Sequence, residues 1–205
     1  MKKMFISSLM KYIKKNGNYS DTQLYEIQYG LTSIYLTLSK IIFISSCALL
    51  LGIFKDMLIF MLFFNIIRTT AYGLHATKSW ICLISSTLIF IGIPLFCKYI
   101  IINFFIKLII GFLNIILIFK NSPADTKKRP IVSRRRRRFL KYISTFIVIC
   151  FVICSFVIND NYISNCLLFA CILENILISR LTYNLFNLSY NNYIDFLKSH
   201  PDFNN

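Results

Sequence analysis

The sequence predicts an all-α integral membrane protein with about six apolar helical segments. Of its 205 residues, 57% are hydrophobic and only 15% are charged, whereas soluble domains contain about 45–50% apolar and about 25% charged residues. The mean hydropathy is +0.64. The apolar residues are also gathered into six blocks, which a uniform compositional bias would not produce. These observations exclude a water-soluble globular domain and a disordered chain.

The N-terminal residues 1–15 predict an amphipathic helix rather than a cleaved signal peptide. Phe5, Leu9, Tyr12 and Ile13 lie near one face of such a helix, and lysines lie between them. The lysines also interrupt the apolar stretch before it reaches the length of a signal-peptide core. We therefore expect this helix to lie on an anionic membrane surface.

Four of the apolar blocks reach, or nearly reach, the roughly 20 residues that a helix needs to cross a bilayer. They are 35–54, 99–119, 139–158 and 162–179. Two further blocks, 57–67 and 81–97, are shorter. We expect these two to tilt, to extend into the connection between them, or to form a re-entrant pair. The chain as a whole, 1–205, is predicted to be a single polytopic membrane domain.

The basic residues predict the orientation of these segments. Two stretches, 1–26 and 120–141, contain 15 of the 23 lysines and arginines. Because basic loops stay on the cytoplasmic side, both stretches are inside and an even number of crossings separates them. Counting the crossings in the same way places Arg68–Trp80 at or near the cytoplasmic surface. We expect a multi-pass protein of the cell membrane with both termini in the cytoplasm.

Six of the seven cysteines are expected to be small apolar packing residues. The sequence has no CxxC pair and no cysteine pair with a zinc-type spacing to histidine, so it predicts neither a metal site nor a cofactor. Cys82 differs, because it follows the most polar connection between two apolar blocks. That connection contains His75, one of only two histidines in the chain.

A nucleophilic cysteine in an enzyme needs at least a nearby base, and histidine is a common one. If Ser79 caps a helix, Cys82 falls in its first turn, where the helix dipole favours the thiolate. A break in the chain near Gly73 would then bring His75 within hydrogen-bond reach of the sulfur. Spacing alone leaves a purely structural role open for both residues.

Three motifs extend these observations over nearly the whole chain. The first is Arg68-x4-Gly73-x-His75-Ala76-x2-Ser79-x2-Cys82. The second, which precedes a basic run, is Ser122-Pro123-Ala124-Asp125-Thr126-Lys127-Lys128-Arg129-Pro130-Ile131. The third, before the first span, is Glu26-x2-Tyr29-Gly30-Leu31. In order and spacing they resemble the accessory gene regulator B (AgrB) family, polytopic membrane peptidases of Gram-positive quorum-sensing systems. One departure is Tyr72, where many members have a second glycine.

The resemblance implies a cysteine endopeptidase that cleaves a small amphipathic propeptide of the AgrD type on its C-terminal side, inside the cell. Carried over by position, Cys82 is the nucleophile and His75 is the general base. The implied acyl-enzyme is a thioester, which an internal cysteine of the peptide captures to close a thiolactone ring. A site that shields this intermediate from water is expected.

Three residues near the predicted nucleophile are candidates for supporting roles. Arg68 would bind a peptide carboxylate or polarise the scissile carbonyl, or would serve only as a topology anchor. Ser79 would orient His75 or merely cap a helix. Gly73 is expected to supply a backbone angle that other residues disfavour.

Two acidic residues and the basic run complete the candidate site. Asp125 would contribute to the site or only fold its loop, and Glu174 matches a carboxylate that the family carries in its last apolar block. Arg134–Arg138 is either a topology signal with membrane-lipid contacts or a binding surface for an acidic partner such as the propeptide tail. Nucleic acid is excluded as a partner, because the run is tethered between two spans.

A second class of function stays open from the sequence. A non-enzymatic transporter or exporter of a small peptide would use His75 and Glu174 as polar pore residues, and it should tolerate Cys82→Ala, which a peptidase should not. A membrane scaffold has no positive feature in its favour. The sequence does not fix the oligomeric state, and a homodimer is one of the states that it leaves open.

Overall fold

A computed structural model of the chain describes residues 2–17, 19–74, 79–126 and 130–199. Among these residues 83% are helical and none forms a β-strand, which confirms the predicted all-α membrane architecture. The helices group into two compact units, Met1–Leu51 and Gly52–Asn205. That the chain forms one domain stays a prediction.

The first unit consists of two helices. Helix α1 (Lys2–Asn16) is the predicted N-terminal helix, and α2 spans Asp21–Leu50. Helix α2 begins well before the predicted start at residue 35, because Ser20 and Gln23 form a capping box. The Ser20 hydroxyl accepts from the Gln23 backbone N–H at 3.3 Å, and the Gln23 side chain accepts from the Ser20 N–H at 2.9 Å.

The second unit contains the remaining helices of the described chain. They are α3 (Phe54–Ala71), α4 (Ser79–Thr87), α5 (Ile93–Tyr99), α6 (Phe104–Asn121), α7 (Arg134–Val157), α8 (Asn161–Ile178), α9 (Arg180–Leu185) and α10 (Asn192–Ser199). A π-helical turn, Leu88–Gly92, joins α4 to α5. These pieces form one helix of 21 residues, Ser79–Tyr99, so the segment that was predicted to be short extends beyond 81–97 at both ends.

Five helices of the described chain are long and apolar enough to cross a membrane. They are α2, the helix Ser79–Tyr99, α6, α7 and α8. Helix α3 is the sixth segment and carries three charged residues, Lys55, Asp56 and Arg68, within its 18 positions. The predicted number of six helical segments is therefore confirmed, and the chain is a multi-pass membrane protein.

Helix α8 is the central helix of the second unit. It contacts α3, α5, α6, α7 and α9, and 61% of its spanning window is buried, against 22% or less in the other four candidate spans. Polar side chains within a membrane are tolerated where they face the interior of a bundle. This central position accounts for the fully buried Ser164, Asn165 and Glu174 on α8.

Hydrogen bonds identify the two ends of this bundle. At one end, the Tyr162 hydroxyl donates to the Asp56 carbonyl at 2.8 Å, and Lys98 Nζ lies 2.6 Å from the Asp56 carboxylate. At the other end, the connection after α3 contacts the loop after α6, and α9 and α10 contact the same loop. The first two sequence motifs therefore meet at one end of the bundle.

Candidate active site

The two residues that precede His75 are fixed by backbone hydrogen bonds to two separate elements. The Gly73 N–H donates to the Ala124 carbonyl at 3.0 Å, and the Ala124 N–H donates to the Ala71 carbonyl at 3.0 Å. The Leu74 N–H donates to the carbonyl of Leu177, near the end of α8, at 3.4 Å. The first and second motifs, which are distant in sequence, are thus in direct contact.

Gly73 is required at its position by both conformation and space. Its φ is +104°, a conformation that L side chains rarely adopt. A Cβ atom built there would lie 2.7 Å from Arg68 Nη1 and 2.9 Å from Ile178 Cγ2. No side chain fits between the backbone and these two neighbours without moving one of them.

Tyr72, the departure from the family pattern, also has an unusual backbone conformation. It follows the last residue of α3 with φ +61° and ψ −126°, in the region where non-glycine residues are strained. A glycine at this position would adopt these angles without strain.

We expect Tyr72→Gly to cost less stability than an ordinary tyrosine-to-glycine substitution. It removes a strain of about 1–3 kcal/mol, which offsets the chain-entropy cost of about 0.5–1 kcal/mol and the lost contacts of the partly buried ring. Tyr142→Gly is the matched control, because Tyr142 is an exposed tyrosine inside α7, and it should lower the temperature of thermal unfolding more than Tyr72→Gly does. A loss of stability in Tyr72→Gly that equals or exceeds that of the control would contradict the assignment of strain.

Arg68 connects the end of α3 to α8 and to the segment before His75. Its Nη1 atom lies 3.4 Å from both carboxylate oxygens of Glu174, and its Nη2 atom donates to the Leu74 carbonyl. The Glu174 side chain is 0% exposed and that of Arg68 is 15% exposed. The sequence left open a substrate-carboxylate ligand, a group that polarises the scissile carbonyl and a topology anchor; these contacts indicate a further role, in which Arg68 holds neighbouring protein groups.

Cys82 is the fourth residue of α4, which begins at the exposed Ser79. Cys82 thus lies at the end of the first helical turn, and the capping role of Ser79 stays a prediction. The thiol is partly exposed, and its sulfur lies 4.0 Å from the Ser86 hydroxyl. His75 lies outside the described residues, so the predicted pairing of His75 with Cys82 stays a prediction.

Asp125 anchors the C-terminal helix to the second motif. Its carboxylate accepts from the backbone N–H groups of Asn192 and Tyr193 at 3.0 and 2.8 Å, which places the negative charge at the N-terminus of α10. Arg137 Nη1 lies 3.5 Å from the same carboxylate. Asp125 thus folds more than its own loop, because it also orients α10.

Tyr183 secures the same loop from α9. Its hydroxyl donates to the Asp125 backbone carbonyl at 2.9 Å, and its ring packs edge-on against Tyr190 at 5.2 Å between centroids. Burial raises the pKa of the Tyr183 hydroxyl above its ordinary value, so the group stays protonated and keeps donating near neutral pH.

An open basic groove of about 830 Å³ lies between the start of α7 and α10. Its lining consists of Arg134, Arg137, Arg138, Tyr193, Ile194, Leu197 and Lys198. The Arg137 guanidinium lies 3.5 Å from the centroid of the Tyr193 ring, so this cation is held in place. The contribution of α10 was missed by sequence reasoning, although the spacing of Tyr193, Ile194 and Leu197 is that of an amphipathic helix.

Comparison with known proteins identifies a family that matches most of the chain. The model of the family described as Accessory gene regulator B matches residues 6–178. An AgrB-like protein of Clostridium acetobutylicum is 27% identical over 188 residues, which cover 92% of this chain and 88% of that protein.

Two relatives from Staphylococcus aureus support the same assignment. The accessory gene regulator protein B of strain MRSA252 is 33% identical over 152 residues, covering 72% of this chain and 81% of the relative. That of strain bovine RF122 is 32% identical over 157 residues, covering 77% and 83%. No solved structure matches the chain.

Proposed function

The chain belongs to the accessory gene regulator B family, and from this we propose that it is a membrane cysteine endopeptidase that cleaves a short autoinducer propeptide in quorum sensing. The observation that supports the proposal most directly is the contact between the two family-like motifs. Gly73 is bonded to Ala124, so the residues immediately before His75 have a fixed backbone. A general base needs such a fixed position relative to its nucleophile.

In the proposed reaction, His75 accepts the thiol proton of Cys82, and the thiolate attacks the scissile carbonyl of the propeptide. The C–N bond breaks, the leaving amine takes the proton from the imidazolium, and the acyl group remains on sulfur as a thioester. The partly exposed thiol of Cys82 at the start of α4 supports this role, because reactive cysteines lie at partly exposed positions that a substrate can reach.

The second half of the reaction transfers the acyl group. The thiol of an internal cysteine of the peptide attacks the thioester, its proton passes to His75, and Cys82 leaves as the thiolate. One thioester is exchanged for another, so much of the bond energy is conserved in a thiolactone ring. Hydrolysis by water would lose that energy, and we expect the site to exclude water from the acyl-enzyme.

Co-expression with the propeptide encoded beside the gene, followed by mass spectrometry, tests the proposed activity. The peptidase predicts two products, a cyclised peptide and a released C-terminal fragment. A transporter would move the peptide without cutting it and would tolerate Cys82→Ala. Intact peptide in wild-type cells, with all components expressed and inserted, would contradict the proposal.

We predict that Cys82 faces the cytoplasm, because the basic residues of 1–26 and 120–141 place Arg68–Trp80 on that side. A membrane-impermeant maleimide added to intact cells should leave Cys82 unlabelled, and the same reagent should label it in inverted vesicles. Tyr99→Cys is the control, because Tyr99 is 83% exposed and ends the helix that begins at Ser79. This introduced cysteine should be labelled from outside, and labelling of Cys82 from outside would overturn the topology.

We propose that the basic groove binds the acidic part of the propeptide. Neutralising two exposed cations that line it, in Arg134→Gln/Arg138→Gln, should raise KM roughly two- to thirtyfold and leave kcat unchanged, since each exposed charge contributes about 0.2–1 kcal/mol. The dependence of KM on salt should weaken at the same time.

The matched control for the groove is Arg135→Gln/Arg136→Gln. These two arginines are equally exposed and lie in the same helical turn, but they are outside the groove lining. Both double variants remove two charges, so a change in topology or in general electrostatics would affect them alike. Equal KM values in the two variants, or a loss of kcat alone, would contradict a binding role for the groove.

A further inference from the structure

Glu174 is a carboxylate that membrane-spanning α8 holds in a completely buried position. Its side chain is 0% exposed. A buried carboxylate is costly unless it is paired, and within a membrane such a group is retained only in contact with a partner. The partner is Arg68 on α3, whose Nη1 atom lies 3.4 Å from both oxygens.

The second nitrogen of the same guanidinium reaches the backbone beside the predicted general base. Arg68 Nη2 donates to the carbonyl of Leu74. That carbonyl belongs to the planar peptide unit that also contains the backbone nitrogen of His75. The guanidinium therefore holds the backbone at Leu74, directly before the predicted base.

The peptide unit on the other side of Leu74 is fixed by the same helix. The Leu74 N–H donates to the Leu177 carbonyl at 3.4 Å, and Leu177 lies one helical turn after Glu174. Helix α8 therefore holds the carbonyl of Leu74 through Arg68 and the N–H of Leu74 directly. The close approach of Arg68 to Gly73, where a Cβ would lie 2.7 Å from Nη1, shows that the ion pair is packed against this segment.

We propose that Glu174 is a positioning residue for the reaction: through Arg68 it fixes the carbonyl of Leu74, the residue immediately before the predicted general base. This inference rests on the proposed function, in which His75 activates Cys82. The competing explanation is an ion pair that only stabilises the contact between α3 and α8. The two explanations differ in what happens to the reactivity of Cys82 when stability is restored.

The test measures the reactivity of Cys82 in the full-length protein as a function of pH. Iodoacetamide is the probe, and mass spectrometry of the peptide that contains Cys82 gives the alkylation rate. In Glu174→Gln the alkylation rate at pH 7 should fall about tenfold, and the pH profile should differ from that of wild type.

Propeptide cleavage provides a second measurement on the same variant. Misplacement of a catalytic group by about 1 Å costs about 100-fold in rate, so kcat of Glu174→Gln should fall between about tenfold and 100-fold while KM stays within about twofold. Wild-type reactivity of Cys82 in this variant, together with wild-type kcat, would overturn the proposal.

A double variant separates positioning from stability. Glu174→Met and Arg68→Met each leave one buried charge without its partner and should lower thermal stability. Arg68→Met/Glu174→Met removes both charges and conserves volume, so its unfolding temperature should return close to that of wild type. It lacks the donor to Leu74, and Cys82 should therefore remain as unreactive as in the single variants. If reactivity returned together with stability, the ion pair would be structural only.

Asp56→Asn is the matched control for breaking an ion pair of this bundle. Asp56 pairs with Lys98 at 2.6 Å and lies about 18 Å from Arg68 along α3. Its loss should leave the pH profile of Cys82 unchanged. Absence of cleavage by the wild-type protein would overturn the proposed function and this inference together, whereas cleavage by wild type with a Cys82 reactivity and a kcat that Glu174→Gln does not alter would overturn the inference alone.

Discussion

Replacement of Cys82 by serine is expected to abolish detectable cleavage of the propeptide while membrane insertion and peptide binding remain at wild-type levels. A serine hydroxyl stays protonated near neutral pH, and His75 would be placed for a larger and more acidic sulfur atom. His75→Ala should be almost as damaging, because an unassisted thiol of pKa about 8.5 is only a few per cent ionised at pH 7. The two losses should not add, since both residues act in one step.

A covalent intermediate provides the decisive measurement for this prediction. Wild-type protein incubated with propeptide should form an adduct on Cys82 that hydroxylamine releases, as expected for a thioester. Cys154→Ser is the control, because Cys154 is an exposed cysteine of α7 and its replacement should leave cleavage unchanged. An adduct mapped to any other cysteine, or full cleavage by Cys82→Ser, would refute the assignment and favour the transporter.

The helices could be predicted from the sequence because apolar blocks of membrane length have few alternatives to helix. The block 81–97 was underestimated because hydropathy alone ends it before Lys98 and begins it after Ser79 and Trp80, all of which belong to the helix Ser79–Tyr99. In the structure the charge of Lys98 is paired with Asp56 at 2.6 Å, a contact that the hydropathy of one segment does not reveal.

The candidate site was predicted as separate residues and not as an arrangement. Arg68, Gly73, Asp125 and Glu174 were each named, but sequence patterns relate residues only over short separations. Arg68 and Glu174 are 106 positions apart. A signal for the pair existed, since a carboxylate inside an apolar block requires a cation nearby, but several cations near the predicted cytoplasmic side satisfied that requirement equally well.

Gly73→Ala is expected to reduce cleavage by more than about 100-fold in protein that still inserts into the membrane. The added methyl group would meet Arg68 Nη1 at 2.7 Å, Ile178 Cγ2 at 2.9 Å and the Leu177 carbonyl at 3.3 Å. Alanine at a φ of +104° would be strained by about 1–3 kcal/mol unless this backbone angle changed. Either response displaces the guanidinium or the backbone that leads into His75.

Gly52→Ala isolates the effect of the backbone angle from the effect of the collision. Gly52 also has a positive φ, +68°, but an added Cβ there would meet nothing within 4 Å. Gly52→Ala should therefore cost about 1–2 kcal/mol of stability and leave cleavage unchanged. Because both variants add one methyl group at a positive φ, a loss of activity confined to Gly73→Ala must come from the place of Gly73 in the site, beside Arg68 and α8 and directly before the predicted base. Equal activity in the two variants would show that the chain before His75 does not need its observed position.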